Sequence, residues 1–311
     1  MMDAIVVKGL RRAFGELKAV NNVTFSVRRG EILGILGPNG AGKTTLISMI
    51  STLLQPSKGT ITVNGHDVQE QAQAVRELIG YLFQESILDG ELSGYDTLDI
   101  HARLYKIPQD RRAQRIKELS TLVGLSKFLD KKVSTYSGGM KRKLEFIRTL
   151  LHEPKILILD EPTLGLDPAI RRLLWTYIQN LNRTKKTTIL LTTHYMEEAD
   201  ELCHRVGIMH RGKFVKIDTP TRLKQSLRGD VIEVGSSQDL EPVLSDVVKL
   251  RFVQDAELVD GVLRIYVTRA EKNFARILSL LHMKKIIISS ITIKKPTLED
   301  VFLHYTGEQL Q

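Results

Sequence analysis

Eight residues, Gly37-Pro38-Asn39-Gly40-Ala41-Gly42-Lys43-Thr44, restrict this chain more than any others because of what flanks them. Before them runs the unbroken apolar stretch Ile32-Leu33-Gly34-Ile35-Leu36, and after them residues 44–50 read as a helix. A buried strand therefore feeds a glycine-rich loop that opens into a helix, and such a strand needs cover on both faces. The string fits G-x-x-x-x-G-K-[ST], in which glycines let successive N–H groups converge on phosphate oxygens while the helix adds the positive end of its dipole. In that geometry Lys43 reaches the β- and γ-phosphates, the Thr44 hydroxyl coordinates Mg²⁺ and Thr45 lies near the α-phosphate. Residues 37–45 are thus expected to bind a nucleotide.

A metal needs a second anchor, and Asp160 ends another apolar run, Ile156-Leu157-Ile158-Leu159, where a carboxylate would emerge beside the phosphate loop of a parallel sheet. Glu161 follows at once, placed to orient or deprotonate a water for in-line attack on the γ-phosphate. An adjacent acidic pair on its own is more often a solvated strand end. Thr188-Ile189-Leu190-Leu191 reads as a further buried strand after a helix over 169–181, so the core is expected to be α/β. Alternating segments at 5–7 and 23–27 predict an N-terminal antiparallel β subdomain, and residues from about 93 to 148 read as a helical insertion.

The string Tyr136-Ser137-Gly138-Gly139-Met140-Lys141, ahead of a helical run over 142–151, resembles the signature motif of ABC (ATP-binding cassette) proteins. With the two phosphate motifs on either side, the chain is similar to that family over residues 1–220. The resemblance implies that Ser137, Gly138 and Gly139 face the γ-phosphate held by a second copy, so that two copies sandwich two ATP molecules as a homodimer. It further implies that Gln84 is a Mg²⁺ and water contact and that Asp167, after Gly165-Leu166, belongs to a loop crossing the dimer interface. It makes His194 a γ-phosphate contact and Phe14 the aromatic that stacks on adenine. Read as isolated residues, Gln84 carries no information, Asp167 marks a surface turn, His194 is a structural or surface histidine, and Phe14 is equally well a core residue. The signature departs from the common form in Tyr136 for a leading Leu and Met140 for a closing Gln, and Phe14 replaces the more usual Tyr.

Residues 221–311 change style, with strand 231–234, helix 240–247, strand 249–259, strand 262–268, helix 270–281 and strand 285–293, and Asp260-Gly261 as a tight turn between the middle strands. The order βαββαβ predicts a small ferredoxin-like α+β domain. The closing string Pro296-Thr297-Leu298-Glu299-Asp300-Val301-Phe302-Leu303 resembles the tail of ABC-2-type drug exporters of the daunorubicin-resistance class. For this domain two roles stand open, strengthening dimerisation or regulating the cassette, and binding a small effector.

A single cysteine, Cys203, excludes an intramolecular disulfide and a cysteine-based zinc site. The longest apolar runs fall far short of the roughly 20 residues that cross a bilayer, and residues 1–8 lack the pattern of a secretory signal. The expected location is therefore peripheral, on the cytoplasmic face of the cell membrane, beside an integral membrane permease. A net charge of +9 would also suit nucleic acid. The basic clusters at 111–115, 131–132 and 141–143 lack interleaved aromatics, however, and read mostly as solvated helix faces, so no nucleic acid is expected. The alternative, a soluble ABC ATPase acting on nucleic acid or ribosomes, would require a long coiled coil or two cassettes, and the chain has neither. A kinase reading leaves Ser137–Gly139 and His194 without a role.

Overall fold

The computed structural model describes residues 3–227 and 229–307; the outermost residues of both expected domains lie outside the described residues. The chain divides into two compact units, one ending at Asp218 and the other beginning at Thr219.

The first unit opens with two long antiparallel strands, β1 (Asp3–Phe14) and β2 (Leu17–Arg28), each of 12 residues and longer than the alternating segments in the sequence suggest. Next come β3 (Ile32–Leu36), α1 (Lys43–Ile50), β4 (Lys58–Val63), β5 (His66–Asp67), α2 (Ala72–Leu78) and β6 (Ile79–Leu82). The helical insertion holds α3 (Gly94–Leu104), α4 (Gln109–Leu122) and α5 (Gly138–Arg148). The unit closes with β7 (Ile156–Asp160), α6 (Pro168–Lys185), β8 (Thr188–Thr193), α7 (Met196–Leu202), β9 (Arg205–His210) and β10 (Lys213–Asp218).

Two sheets result. One is antiparallel in the order β2-β1-β4-β5, and the other runs β10-β9-β3-β8-β7-β6, with β9, β3, β8, β7 and β6 parallel and β10 antiparallel at the edge. Every residue of β3, β7 and β8 is buried, as expected of strands covered on both faces. A single apolar cluster joins the two sheets, including Val7, Leu10 and Val27 from the antiparallel sheet and Leu33, Ile35 and Ile158 from the parallel one. Because parallel strands expose their C-terminal ends together, Leu36, Asp160 and Thr193 emerge at one edge, which is where the site forms.

The basic clusters expected to be solvated faces are divided, and Arg142 is their buried member. Arg112 pairs with Asp99 at 2.8 Å, and Arg115 lies between Glu118 and Glu153. Arg111, Lys131 and Lys132 are exposed and follow the solvated reading, Lys132 in a pair with Glu91, while Lys141 and Lys143 are half-buried.

In the second unit, α8 (Pro220–Gln225) precedes β11 (Asp230–Ser236), α9 (Glu241–Val248), β12 (Val253–Val259), β13 (Val262–Val267), α10 (Ala270–Met283), β14 (Ile288–Lys294) and α11 (Leu298–Thr306). The sheet order β12-β13-β11-β14, antiparallel throughout, is that of a ferredoxin-like βαββαβ unit. Asp260 and Gly261 both have positive φ, 51° and 76°, as the two-residue turn demands. The strand expected from residue 249 starts at Val253 instead. Residues 249–252 close the helix, with Leu250 N–H donating to Val247 and Val253 N–H to Leu250, so the alternation of Leu250 and Phe252 is satisfied by a turn that packs both on the core. Likewise β14 starts at Ile288 because Lys285, at φ 58°, and Ile286 still bond back to α10.

Candidate active site

The phosphate loop is built by close backbone approach. A side chain at Gly37 would place its Cβ 2.4 Å from the Met209 carbonyl, and one at Gly42 would fall 2.1 Å from the Ala19 carbonyl. Gly42 also has φ 102°, open to glycine alone, and it starts α1 with no side-chain cap, so the first N–H groups of that helix point free into the loop. Lys43 is buried, and its ammonium donates to the carbonyls of Gly37 at 2.6 Å and Pro38 at 3.1 Å. Burial draws that ammonium below its ordinary range, against the attraction of Glu161 and Asp160.

Asp160 ends β7 with 1 % of its surface exposed. Its Oδ1 accepts from the Thr192 hydroxyl of β8, while Oδ2 is buried and has no partner among the described residues. Burial lifts this carboxyl above the usual range and Glu161 pushes the same way; Thr192, Lys43 and Thr44 oppose. An orphaned buried carboxylate oxygen beside the Thr44 hydroxyl fits a hard cation with oxygen ligands. Among the described residues no three His, Cys, Asp or Glu side chains gather into a metal cluster. A Mg²⁺ here would thus take one carboxylate and otherwise neutral side-chain oxygens from the protein, with the rest from phosphates and water.

Glu161 is the strained member. Its φ is 49°, a left-handed conformation rare outside glycine, and the surroundings fix it there. Its N–H donates to the Thr192 carbonyl at 3.1 Å, and its own carbonyl accepts from Arg142 at 2.6 Å. The turn directs the carboxylate toward Gln84 Nε2 at 3.5 Å and His194 Nδ1 at 3.4 Å. Gln84 arrives from just past β6 and His194 from just past β8, so three neighbouring strand ends converge on one carboxylate.

Ser137 caps α5 by accepting from Met140 N–H at 3.3 Å, and Asp167 caps α6 by accepting from Ala169 and Ile170. Neither bonds to Lys43, Asp160 or Glu161. Instead the signature lies beside the Asp167 loop, with the Cβ direction of Gly139 pointing at Leu166, 3.7 Å away. Tyr136 has a local reason to replace Leu. Its ring is buried, its hydroxyl donates to the Phe128 carbonyl at 2.7 Å, and Gly94 leaves room for it, since a Cβ there would lie 2.2 Å from that oxygen. Phe14 is not a core residue: it is 47 % exposed at the end of the β1–β2 hairpin, with the Arg12 guanidinium over its ring at 4.9 Å.

Two buried residues escaped the reading from sequence. Arg142 was grouped with its lysine neighbours, yet its guanidinium donates to the carbonyls of Phe83, Gln84, Asp160, Glu161 and Pro162 and faces Glu145 at 3.6 Å. Glu198, fully buried on α7, accepts from the Thr163 hydroxyl at 2.9 Å and the Trp175 indole at 2.8 Å, joining the segment after Glu161 to α6. A signal existed for Arg142, since its i, i+3 spacing to Glu145 places a pair on one helix face, but nothing local shows that the face is buried.

Comparison with known proteins bears on the whole chain. Residues 20–164 match the ABC transporter family and residues 219–306 match the C-terminal domain of ATP-binding proteins like DrrA1-3. A daunorubicin resistance ATP-binding protein, DrrA3 of Streptomyces coeruleorubidus, is 38% identical over 98% of this chain and 96% of its own length. The linearmycin resistance ATP-binding protein LnrL of Bacillus subtilis strain 168 is 35% identical over 98% of each chain. Among solved structures, an ATP-binding subunit of an ABC transporter superposes with a TM-score of 0.67 at 30% identity, covering 72% of this chain and 92% of that one.

Proposed function

The chain belongs to the ABC transporter family of ATP-binding proteins, and from that premise we propose that two copies close on two ATP molecules to drive a separate membrane permease of the drug-export class. It binds and hydrolyses ATP, and it serves as the ATPase subunit of the transporter. The observation that carries the mechanism is the Glu161 carboxylate, held by Gln84 and His194 at the edge where Lys43 and Asp160 also emerge.

In this reading the N–H groups of residues 37–45 hold the phosphates, and the terminal phosphate competes with the Gly37 and Pro38 carbonyls for the Lys43 ammonium. Phe14 offers an exposed face for adenine, on a hairpin whose Ala19 abuts Gly42. Thr44, Asp160 and Gln84 would hold Mg²⁺, which neutralises charge on the β- and γ-phosphate oxygens when bound. Glu161 accepts the proton of the attacking water, and the Gln84 and His194 contacts fix the direction of its carboxylate. His194 also donates to the γ-phosphate. From the second copy, Ser137 and the N–H groups of Gly138 and Gly139 complete the γ-phosphate cage, and Asp167 links the two sites.

Cleavage removes the group both copies grip, so the closed pair loses its differential stabilisation and opens. Residues 84–87 are tied to α5 at both ends, through Arg142 to the Gln84 carbonyl and through Ile87 N–H to Glu145 at 3.0 Å. Motion of the helical insertion therefore carries that segment, and with it a groove that grips a cytoplasmic helix of the permease. Among the described residues no helix is long and apolar enough to cross a membrane, which fits a peripheral subunit on the cytoplasmic face. The second unit strengthens dimerisation or regulates the cassette.

Replacing Glu161 with Gln keeps the side-chain shape and removes the base. Turnover should fall about 10²–10⁴-fold while ATP still binds and sedimentation shows a persistent dimer. Hydrolysis at the wild-type rate would strip Glu161 of its role.

A further inference from the structure

A guanidinium has five N–H groups, and Arg142 gives all five to backbone carbonyls. Nε donates to Pro162 at 3.1 Å, Nη2 to Asp160 at 2.9 Å and to Glu161 at 2.6 Å, and Nη1 to Phe83 and, at 3.4 Å, to Gln84. Glu145 faces the same group at 3.6 Å, beyond hydrogen-bond reach, as its buried counter-charge. If Arg142 served only to neutralise that carboxylate, a bidentate pair with it would be the stronger arrangement. The donors go instead to two short segments, 83–84 and 160–162, which carry Gln84 and Glu161.

Three consecutive carbonyls turned toward one cation mean that the backbone curls around it, and the strained residue sits at the centre of the curl. Glu161 has φ 49°, a conformation that persists only where the surroundings over-determine it. Thr192 of β8 fixes its N–H, and Arg142 fixes its carbonyl together with those on either side. The Arg142 donors stop at the main chain, while the Glu161 carboxylate faces Gln84 and His194. Lys43 and the phosphate loop receive none of them. We propose that Arg142 is a positioning residue for ATP hydrolysis, which aims the Glu161 carboxylate by fixing the turn at 160–162 against the Gln84 segment and takes no part in holding the nucleotide. The inference rests on Glu161 being the base, as proposed above.

The test is a double-mutant cycle on the full chain with Mg²⁺ and radiolabelled ATP, reading phosphate release for kcat and KM and sedimentation for the ATP-driven dimer. Arg142→Lys keeps a charge beside Glu145 but replaces the planar fork with a single nitrogen, which cannot reach both segments as the guanidinium does. Its kcat should fall roughly 10–100-fold, the loss expected of a base displaced by about 1 Å, with KM for ATP within about threefold of wild type. Added to Glu161→Gln, the same change should lower the residual turnover by less than about twofold and leave the persistent dimer in place, because the group that Arg142 aims is already gone. Each variant must unfold cooperatively, and Arg142→Gln gives the same cycle if Arg142→Lys does not. An equal fractional loss in both backgrounds overturns the proposal, as does a raised KM with loss of the dimer, or a kcat within about twofold of wild type. Hydrolysis by Glu161→Gln alone at the wild-type rate removes the base itself and this inference with it, a failure of the earlier reading that shows without any Arg142 variant.

Discussion

The strand-end edge of the first unit and the whole of the second unit treat charge in opposite ways. At the edge, Lys43, Asp160, Glu161, Arg142, Glu145 and Glu198 are all buried, and most are held by hydrogen bonds from more than one element. Among the described residues, no charged side chain of the second unit is buried; its core is an apolar cluster that includes Ile232, Leu263 and Ile277. Buried charge is costly unless every partner is placed, so it persists where aiming a group matters more than stability. The second unit takes its fold from packing and leaves its charges on the outside, where substitution costs little.

That contrast is broken or sharpened first at Arg142. Arg142→Ala removes donors from five carbonyls and leaves Glu145 buried without its cation, so the chain should lose about 3–5 kcal/mol, read from the urea unfolding of the first unit. Arg142→Lys should recover only part, because an ammonium cannot span the fork of a guanidinium. Turnover should fall as well, since Gln84 and Glu161 both lose an anchor. A loss below about 1 kcal/mol would place Arg142 with ordinary surface charge and erase the difference between the two regions.

Arg142 also marks where sequence stops being readable. The phosphate loop could be recognised because its chemistry is backbone geometry, set by glycines within eight consecutive residues. The hairpin at Asp260-Gly261 was legible for the same reason. Arg142 acts through carbonyls 18 to 59 positions away, and Glu198 through Thr163 and Trp175, partners that only the tertiary fold brings near. The late start of β12 has a related cause. Leu250 and Phe252 alternate like strand residues, but packing on the core is equally well met from a turn, and periodicity does not distinguish the two. Phe14 shows the reverse case, since an aromatic beside a strand said nothing of burial until the hairpin set it half in water.

A smaller effect is expected at Glu198. Burial raises its carboxyl above the ordinary range, against the Thr193, Trp175 and Thr163 hydrogen bonds. The folded state therefore keeps this proton to higher pH than the unfolded chain. The associated stability is fully present below the unfolded value and is lost as pH rises through the folded one. Glu198→Gln keeps an acceptor oxygen for Thr163 and Trp175 and has no proton to lose. Its unfolding free energy relative to wild type should climb with pH above the unfolded carboxyl value, by at most about 1.4 kcal/mol per pH unit. A difference independent of pH from 4 to 9 would mean that Glu198 is ionised in the folded chain.

The smallest effect belongs to the second unit and tests its side of the comparison. Glu271 and Lys295 pair at 2.7 Å, but both side chains are mostly exposed, at 71% and 65%. Water solvates each charge nearly as well when they are apart, so Glu271→Gln should leave the unfolding midpoint unchanged in low salt and in 1 M salt alike. Glu233 is the internal control, since it is only 16% exposed and pairs with both Lys294 at 2.8 Å and Arg264 at 3.3 Å. Glu233→Gln should cost up to about 1 kcal/mol, and salt should reduce the cost. If Glu271→Gln instead destabilises the unit as much as Glu233→Gln does, exposure does not govern what charge contributes here, and the surface pairs of this unit carry its fold rather than decorate it.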